Sequence, residues 1–225
     1  MALNIQTFRT RAISAIVFAI VMLGGLLTNG YAYTILFLII LIGSLLEFIK
    51  LIGKIKPTKG WLLLAGLIYV ILPFLLMIDL GTGFLKTHNI NDYSPALPCV
   101  LIFSIWINDT MAYIVGSFIG KTPFSPISPK KTWEGTIGGA ILCVLVMVGL
   151  SLAIKTELST QDVAVIASIA AVFGTVGDLL ESKMKRMAGV KDSGKIMPGH
   201  GGFLDRFDSL MLAAPFAWLY VRFLM

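Results

Sequence analysis

The residues best suited to chemistry begin near the end of a long apolar segment. Glu181, Ser182 and Lys185 stand three, four and seven positions after Asp178. In a helix this spacing places all four side chains on one face, so acidic and basic groups converge. An ionisable group inside an apolar segment is costly in a membrane and usually serves function, which favours a functional role for Asp178. For Glu181, a solvated charge at a helix end is the alternative to a role in the site.

A second group of polar residues lies between positions 191 and 208. The glycines around His200 let the backbone approach a ligand closely and leave N–H groups free to face phosphate. Asp205 and Asp208 stand one helical turn apart, and carboxylates suit a hard cation such as magnesium, which often bridges protein and phosphate. His200 alone fits a hydrogen-bonded loop residue equally well. The same stretch contains Lys191, Asp192, Gly201, Gly202 and Arg206.

A third group begins at Asp109, a carboxylate inside another apolar segment. Gly116 and Gly120 follow it at helical spacing, and small residues at such positions permit tight helix packing. Helix packing does not explain why the carboxylate of Asp109 stands inside an apolar segment. Lys130 and Lys131 lie in the polar stretch that follows, where they fit phosphate binding and attraction to anionic headgroups equally well.

Acids for a metal and cations for phosphate together indicate a reaction class. Phosphoryl and nucleotidyl transfer need both, because their transition states spread charge over phosphate oxygens and depend on metal-assisted stabilisation and positioning. The sequence therefore predicts metal-dependent phosphate chemistry.

The surrounding elements are predicted to be membrane helices. Of the 225 residues, 57% are hydrophobic and 13% are charged, against about 45–50% and about 25% in a soluble domain. The apolar residues form blocks close to the roughly 20 residues that cross a bilayer. We therefore expect an all-α, polytopic transmembrane bundle of about seven spans. The blocks cover about residues 12–29, 31–49, 61–79, 96–119, 136–154, 163–182 and 203–225.

The distribution of basic residues predicts a cytosolic N-terminus. With that orientation, 15 of the 18 Lys and Arg residues fall on the cytosolic side, as the positive-inside rule requires. Lys86, Lys155 and Arg222 are the exceptions. The net charge of +6 is then explained by membrane orientation, and no nucleic-acid partner is predicted. Residues 120–135 and 183–206 would face the cytosol.

The chain is predicted to form a single membrane domain over residues 1–225. Residues 1–95 would supply N-terminal membrane helices, and residues 96–225 the catalytic helices and cytosolic loops. Cys99 and Cys143 both lie in apolar segments, where they fit small buried side chains and not a disulfide or metal pair.

The stretch from Ser182 to Asp208 resembles the signature of the phosphatidate cytidylyltransferases, also called CDP-diacylglycerol synthases. Residues 109–135 resemble that family's second characteristic region, so the resemblance covers most of residues 105–225. Met197 and Ser193 depart from the usual pattern without removing a charged group. The matching signature residues are Ser182, Lys185, Arg186, Lys191, Asp192, Gly194, Pro198, His200, Gly201, Gly202, Asp205, Arg206 and Asp208.

The resemblance implies transfer of a cytidylyl group from CTP to phosphatidic acid at a bilayer surface, with magnesium and optionally potassium as cofactors. It implies Asp178 and Asp205 as metal ligands, with Asp109, Asp208 and Lys185 also in the catalytic group. It is compatible with a homodimer, which no sequence pattern demands. The implied substrate-binding residues are Ser182, Arg186, Lys191, Asp192, His200, Gly201, Gly202, Arg206, Lys130 and Lys131.

Two other functions compete with this interpretation. Asp109 and Asp178 could line an ion path, although transport would leave the Gly-His-Gly-Gly turn and the clustered cations unexplained. A CTP-dependent lipid kinase would use a similar membrane site, but it would transfer the γ-phosphate and release CDP instead of pyrophosphate.

Overall fold

The computed structural model describes residues 5–55, 60–87, 90–154, 157–197 and 201–225. It confirms the predicted all-α membrane protein and adds a short β-hairpin within residues 120–135, which the sequence predicted as a loop. The elements are α1 (Ile5–Thr28), α2 (Gly30–Ile52), α3 (Gly60–Thr82), α4 (Phe84–Thr87), α5 (Ala96–Ile119), β1 (Pro123–Ser125), β2 (Ser128–Thr132), α6 (Trp133–Ile154), α7 (Thr160–Met187), α8 (Leu204–Phe207) and α9 (Leu210–Phe223).

Within the part of the chain that the structure describes, five helices are long and apolar enough to cross a membrane: α2, α5, α6 and α7 over their whole lengths and α3 over Leu63–Thr82. The apolar stretches Ala12–Thr28 and Leu210–Phe223 are shorter. At 1.5 Å per residue, the 14 residues of α9 extend only about 21 Å, less than the roughly 30 Å hydrocarbon core. The span count of seven and the cytosolic N-terminus stay predictions.

The block predicted as a continuous span over residues 203–225 is interrupted. The Asp205 carboxylate accepts a hydrogen bond from the Gly202 N–H at 2.8 Å, and the Asp208 carboxylate accepts one from the Ser209 N–H at 2.7 Å. Short acidic side chains that bind nearby N–H groups compete with helix continuation. The chain therefore forms the four-residue α8, a turn, and then α9.

The described chain forms two compact units, and the first comprises residues 1–93 and 184–207. An aromatic cluster holds its helices together. The ring centroids of Tyr33 and Phe37 in α2 are 4.8 Å apart, and the Phe74 ring of α3 lies 6.4 Å from Phe37. Phe207 of α8 continues the cluster 5.9 Å from Phe74. Helix α8 is thereby packed against the N-terminal helices.

The second unit comprises residues 94–183 and 208–225. Helices α5 and α6 approach closely, since a Cβ added to Gly139 would lie 2.6 Å from the Ala112 backbone. Such small-residue contacts replace hydrophobic burial as a source of helix association in lipid. Phe173 of α7 stacks on Phe216 of α9 with 3.6 Å between ring centroids. The prediction that residues 1–225 act as one domain stays a prediction.

Candidate active site

Three carboxylates come together in the second unit. Asp178 and Glu181 of α7 and Asp208 of the α8–α9 turn each offer one oxygen, and these oxygens lie within 4.8 Å of one another. Glu181 is fully buried, whereas Asp178 and Asp208 are partly buried. We call these three residues the acidic cluster. Glu181 was placed on the right helix face by its spacing but was not among the predicted site residues.

Local sequence explains how the acidic cluster forms. One helical turn separates Asp178 from Glu181, which aligns their side chains along α7. Gly177 lets the α8–α9 turn approach, because a Cβ there would lie 2.6 Å from the Asp208 carbonyl oxygen. The Ser182 hydroxyl, one turn after Asp178, donates a hydrogen bond to its Oδ1 at 3.2 Å.

The electrostatics of the acidic cluster favour a bound cation. Burial raises the pKa of Asp208 well above its usual value, and the nearby charges of Asp178, Glu181 and Asp109 raise that pKa further. Carboxylate oxygens are the ligands preferred by hard divalent cations, and a cation would relieve the repulsion among them. The donor set therefore fits a metal ion.

A lysine also faces the acidic cluster. The Lys131 ammonium on β2 forms an ion pair with the Asp178 carboxylate. The hairpin that carries Lys131 is held at its base, where the Glu134 carboxylate accepts hydrogen bonds from the Lys121 and Thr122 N–H groups. The Thr132 hydroxyl accepts a hydrogen bond from the Gly135 N–H at 3.1 Å, which caps α6.

These residues border a cavity of about 420 Å³ within the second unit. Its size is within the range of small-ligand sites. Both signs of charge occur in its wall, so it can accept phosphate groups together with a cation. Residues lining it include Asn108, Asp109, Lys130, Lys131, Thr136 and Asp178.

Asp205 lies in the first unit and has a different environment. Its Oδ1 accepts a hydrogen bond from the Lys185 ammonium at 2.7 Å, and these side chains are 5% and 11% exposed. Its Oδ2 accepts hydrogen bonds from the Ser193 N–H at 2.8 Å, the Ser193 hydroxyl at 2.9 Å and the Gly202 N–H at 2.8 Å. Burial alone would raise the pKa of Asp205, but the Gly202 N–H, Lys185 and Ser193 outweigh burial and lower it.

The remaining predicted site residues are placed as follows. Gly202 is buried, and Gly201 is partly buried with a positive φ of 86°. Four charged residues are exposed: Arg186, Lys191, Asp192 and Arg206. His200 lies outside the described residues. Within the second unit, the structure brings together Asp178, Asp208, Ser182 and Lys131 and places Asp109 and Lys130 in the cavity wall. The pairing of Asp178 with Asp205 as metal ligands stays a prediction.

Comparison with known proteins gives the family. The pattern of the Cytidylyltransferase family matches residues 67–224. A protein of Staphylococcus saprophyticus named phosphatidate cytidylyltransferase is 40% identical over 136 residues, which are 60% of this chain and 52% of the relative.

Two further relatives have the same name. The Staphylococcus haemolyticus protein is 47% identical over 112 residues, 49% of this chain and 43% of the relative. The Staphylococcus aureus protein is 39% identical over 136 residues, 60% of this chain and 52% of the relative. The chain thus spans about half the length of the curated relatives it matches. Because the family pattern covers more than half of the sequence, the chain belongs to the cytidylyltransferase family.

Proposed function

We propose that this protein transfers the cytidylyl group of CTP to phosphatidic acid, producing CDP-diacylglycerol and pyrophosphate for phospholipid synthesis. The observation that carries the proposal is the acidic cluster beside a cavity that also contains lysines. Family membership and the names of the relatives support the choice of a cytidylyl group and of phosphatidate. The apolar helices support a substrate that stays in the bilayer.

In this reaction a phosphate oxygen of phosphatidic acid attacks the α-phosphorus of CTP. A new P–O bond forms as the bond from the α-phosphorus to the bridging oxygen breaks, and that oxygen leaves with its electron pair on pyrophosphate. The second pKa of a phosphomonoester is near about 6, so the nucleophile is already largely ionised at neutral pH. The chief obstacle is repulsion between two polyanions, which positioned cations reduce.

Asp178, Glu181 and Asp208 would hold a divalent magnesium ion, with potassium as an optional second ion. The metal would supply electrostatic stabilisation of charge on phosphate oxygens. Lys131 would exchange its partner Asp178 for a substrate phosphate, and the exposed Lys130 would present a second positive charge at the same cavity. Asp109, in the cavity wall, adds negative charge that orients cationic groups.

We assign the loop between α7 and α8 in the first unit, together with the helix ends beside it, to substrate binding. Lys191 and Arg206 are exposed cations available to phosphate, and Arg186 extends that positive surface. The buried pair of Lys185 and Asp205 holds the loop in shape. We also propose that Asp205 can bind the metal ion directly, as the family resemblance implies. In this structure both of its oxygens accept hydrogen bonds.

We further propose that the site faces the cytosol, where CTP is available, and that the protein acts in a bilayer as a monomer or homodimer. Phosphatidic acid would keep its tails in lipid while its headgroup reaches the interface. A cytosolic position for residues 120–135 agrees with the placement of basic residues.

The purified protein, with phosphatidic acid in liposomes, magnesium and CTP labelled at the α-phosphorus, provides the direct test. We expect label to enter the lipid phase and pyrophosphate to appear in equal amounts. Absence of lipid label in preparations whose folding is verified would reject the proposal.

The same preparation with γ-labelled CTP separates cytidylyl transfer from a lipid kinase. Label in lipid and release of CDP would favour the kinase. Ion flux in proteoliposomes without CTP turnover would instead favour transport through the acidic residues.

A further inference from the structure

Glu47 is the acidic residue of the largely apolar α2, and it precedes the region matched by the family pattern. An ionisable side chain within a membrane helix is costly and calls for a specific partner. The structure provides two partners, one in the loop between α7 and α8 and one at the start of α8. The Ser193 hydroxyl donates a hydrogen bond to Glu47 Oε2 at 3.0 Å, and the Leu204 N–H donates one at 2.9 Å.

These two contacts lie on opposite arms of the loop. Ser193 belongs to the arm that leaves α7, and Leu204 is the first residue of α8. Glu47 therefore joins the chain that leaves α7 to the first residue of α8. In the sequence, the Gly-His-Gly-Gly stretch lies between these two contacts, with Lys191 before them and Arg206 after them.

The loop is shaped to receive this carboxylate. A Cβ added at Gly194 or at Gly202 would overlap the Glu47 carboxylate, so glycine at both positions leaves room for it. One turn earlier on α2, a Cβ at Gly43 would overlap the Phe203 ring. Apolar and polar contacts thus attach the same loop to adjacent turns of α2.

Ser193 links Glu47 to the buried ion pair. Its hydroxyl lies 3.0 Å from Glu47 Oε2 and 2.9 Å from Asp205 Oδ2, and its N–H also donates to Asp205. A hydroxyl has one proton to donate, so the two carboxylates share it. Loss of Glu47 would therefore disturb the position of Asp205 as well as the loop.

We propose that Glu47 is a positioning residue that holds the described residues 193–197 and 201–204 of the substrate-binding loop against α2. It acts through hydrogen bonds to Ser193 and Leu204 and not through contact with substrate. The effect on turnover rests on the proposed function, whereas the effect on the loop does not.

The test compares Glu47→Ala with Glu47→Gln in the full chain. Glutamine keeps an oxygen of the same reach and removes the charge. We expect Glu47→Ala to lower kcat/KM for CTP at least about tenfold, the effect of losing one or two hydrogen bonds to a charged acceptor. Glu47→Gln should stay within about threefold of the wild type, since neutral hydrogen bonds replace charged ones. Leu46→Ala, at a neighbouring position that is 54% exposed, is the matched control, and its kcat/KM for CTP should equal that of the wild type.

Hydrogen exchange of residues 191–204 gives a readout independent of catalysis. Exchange should rise in Glu47→Ala and stay near wild type in Glu47→Gln, while α5 and α6 remain protected in both. If Glu47→Ala fails to fold, Ser193→Ala should show the same local increase. The proposal would be overturned if hydrogen exchange were unchanged in Ser193→Ala and in any folded Glu47→Ala. It would also be overturned if Glu47→Gln and Glu47→Ala lost kcat/KM equally. An inactive wild type with the expected exchange would reject the proposed reaction but keep the positioning role.

Discussion

The Lys131 ammonium is paired with the Asp178 carboxylate, one of the three that form the acidic cluster. A cation of the protein therefore contacts a group proposed to hold a metal ion. Metal binding at Asp178 and the present position of Lys131 compete, and a substrate phosphate would give the displaced ammonium a new partner.

Replacing Lys131 should affect metal binding and turnover in opposite directions. We expect Lys131→Met to tighten magnesium binding without nucleotide by roughly three- to tenfold, consistent with about 1 kcal/mol for a partly exposed ion pair. Turnover should fall because a phosphate partner is lost. Magnesium-dependent thermal shifts and steady-state kinetics measure the two effects. Lys130→Met is the matched control and should change metal affinity less; equal shifts in both variants would argue against specific competition.

Removing a carboxylate of the acidic cluster should impair both metal binding and catalysis. Asp178→Asn, Glu181→Gln and Asp208→Asn should each lower turnover at least about 100-fold, as expected for loss of a metal ligand. Magnesium titration of the thermal midpoint should show weaker binding in each. Asp162→Asn, in the first turn of the same helix and bonded to Ser159 and Tyr220, controls for a general effect of acid removal. Near-normal turnover in all three cluster variants would remove the cluster from the site.

Breaking the buried pair of Lys185 and Asp205 should destabilise the protein even without metal. Removal of one partner leaves an uncompensated buried charge, and we expect Lys185→Met and Asp205→Asn each to cost about 3–5 kcal/mol in the free energy of unfolding. The double variant should cost less than the sum, since the partners interact directly. Denaturation in detergent with a chelator measures this. If Asp205 served only as a metal ligand, its replacement would leave the metal-free stability unchanged.

Filling the space at Gly177 should weaken the site without removing any ligand. In Gly177→Ala the new Cβ would meet the Asp208 carbonyl oxygen, so the α8–α9 turn must move away from α7. We expect weaker magnesium binding and lower turnover with all three carboxylates present. Gly149→Ala on α6, where a Cβ meets nothing within 4 Å, is the matched control. Equal behaviour of the two variants would show that this close approach is unimportant.

Several features followed directly from local sequence. Apolar blocks of membrane length predicted the long helices, because hydropathy and the length needed to cross a bilayer are properties of contiguous residues. The spacing of Asp178 and Ser182 predicted a shared helix face, and the two side chains are hydrogen-bonded in the structure. The signature from Ser182 to Asp208 indicated the family that the comparisons confirm.

Other features depended on contacts between distant positions. Helical spacing could align Glu181 with Asp178, but only packing of the α8–α9 turn against Gly177 added Asp208 to them. Charge alone did not show that Asp205 would be enclosed by Lys185, Ser193 and Gly202, because its partners depend on how the loop closes.

The sequence by itself determined the long apolar helices, the family and the acidic and basic residues available for phosphate chemistry. Tertiary structure alone decided which of those residues meet, including the pairing of Lys131 with Asp178 and the attachment of residues 193 and 204 to Glu47. The physical reason is the distance along the chain over which each effect acts. Hydropathy and helical periodicity act over a few neighbouring residues, whereas the Glu47 contacts join positions about 150 residues apart through packing that no local pattern encodes.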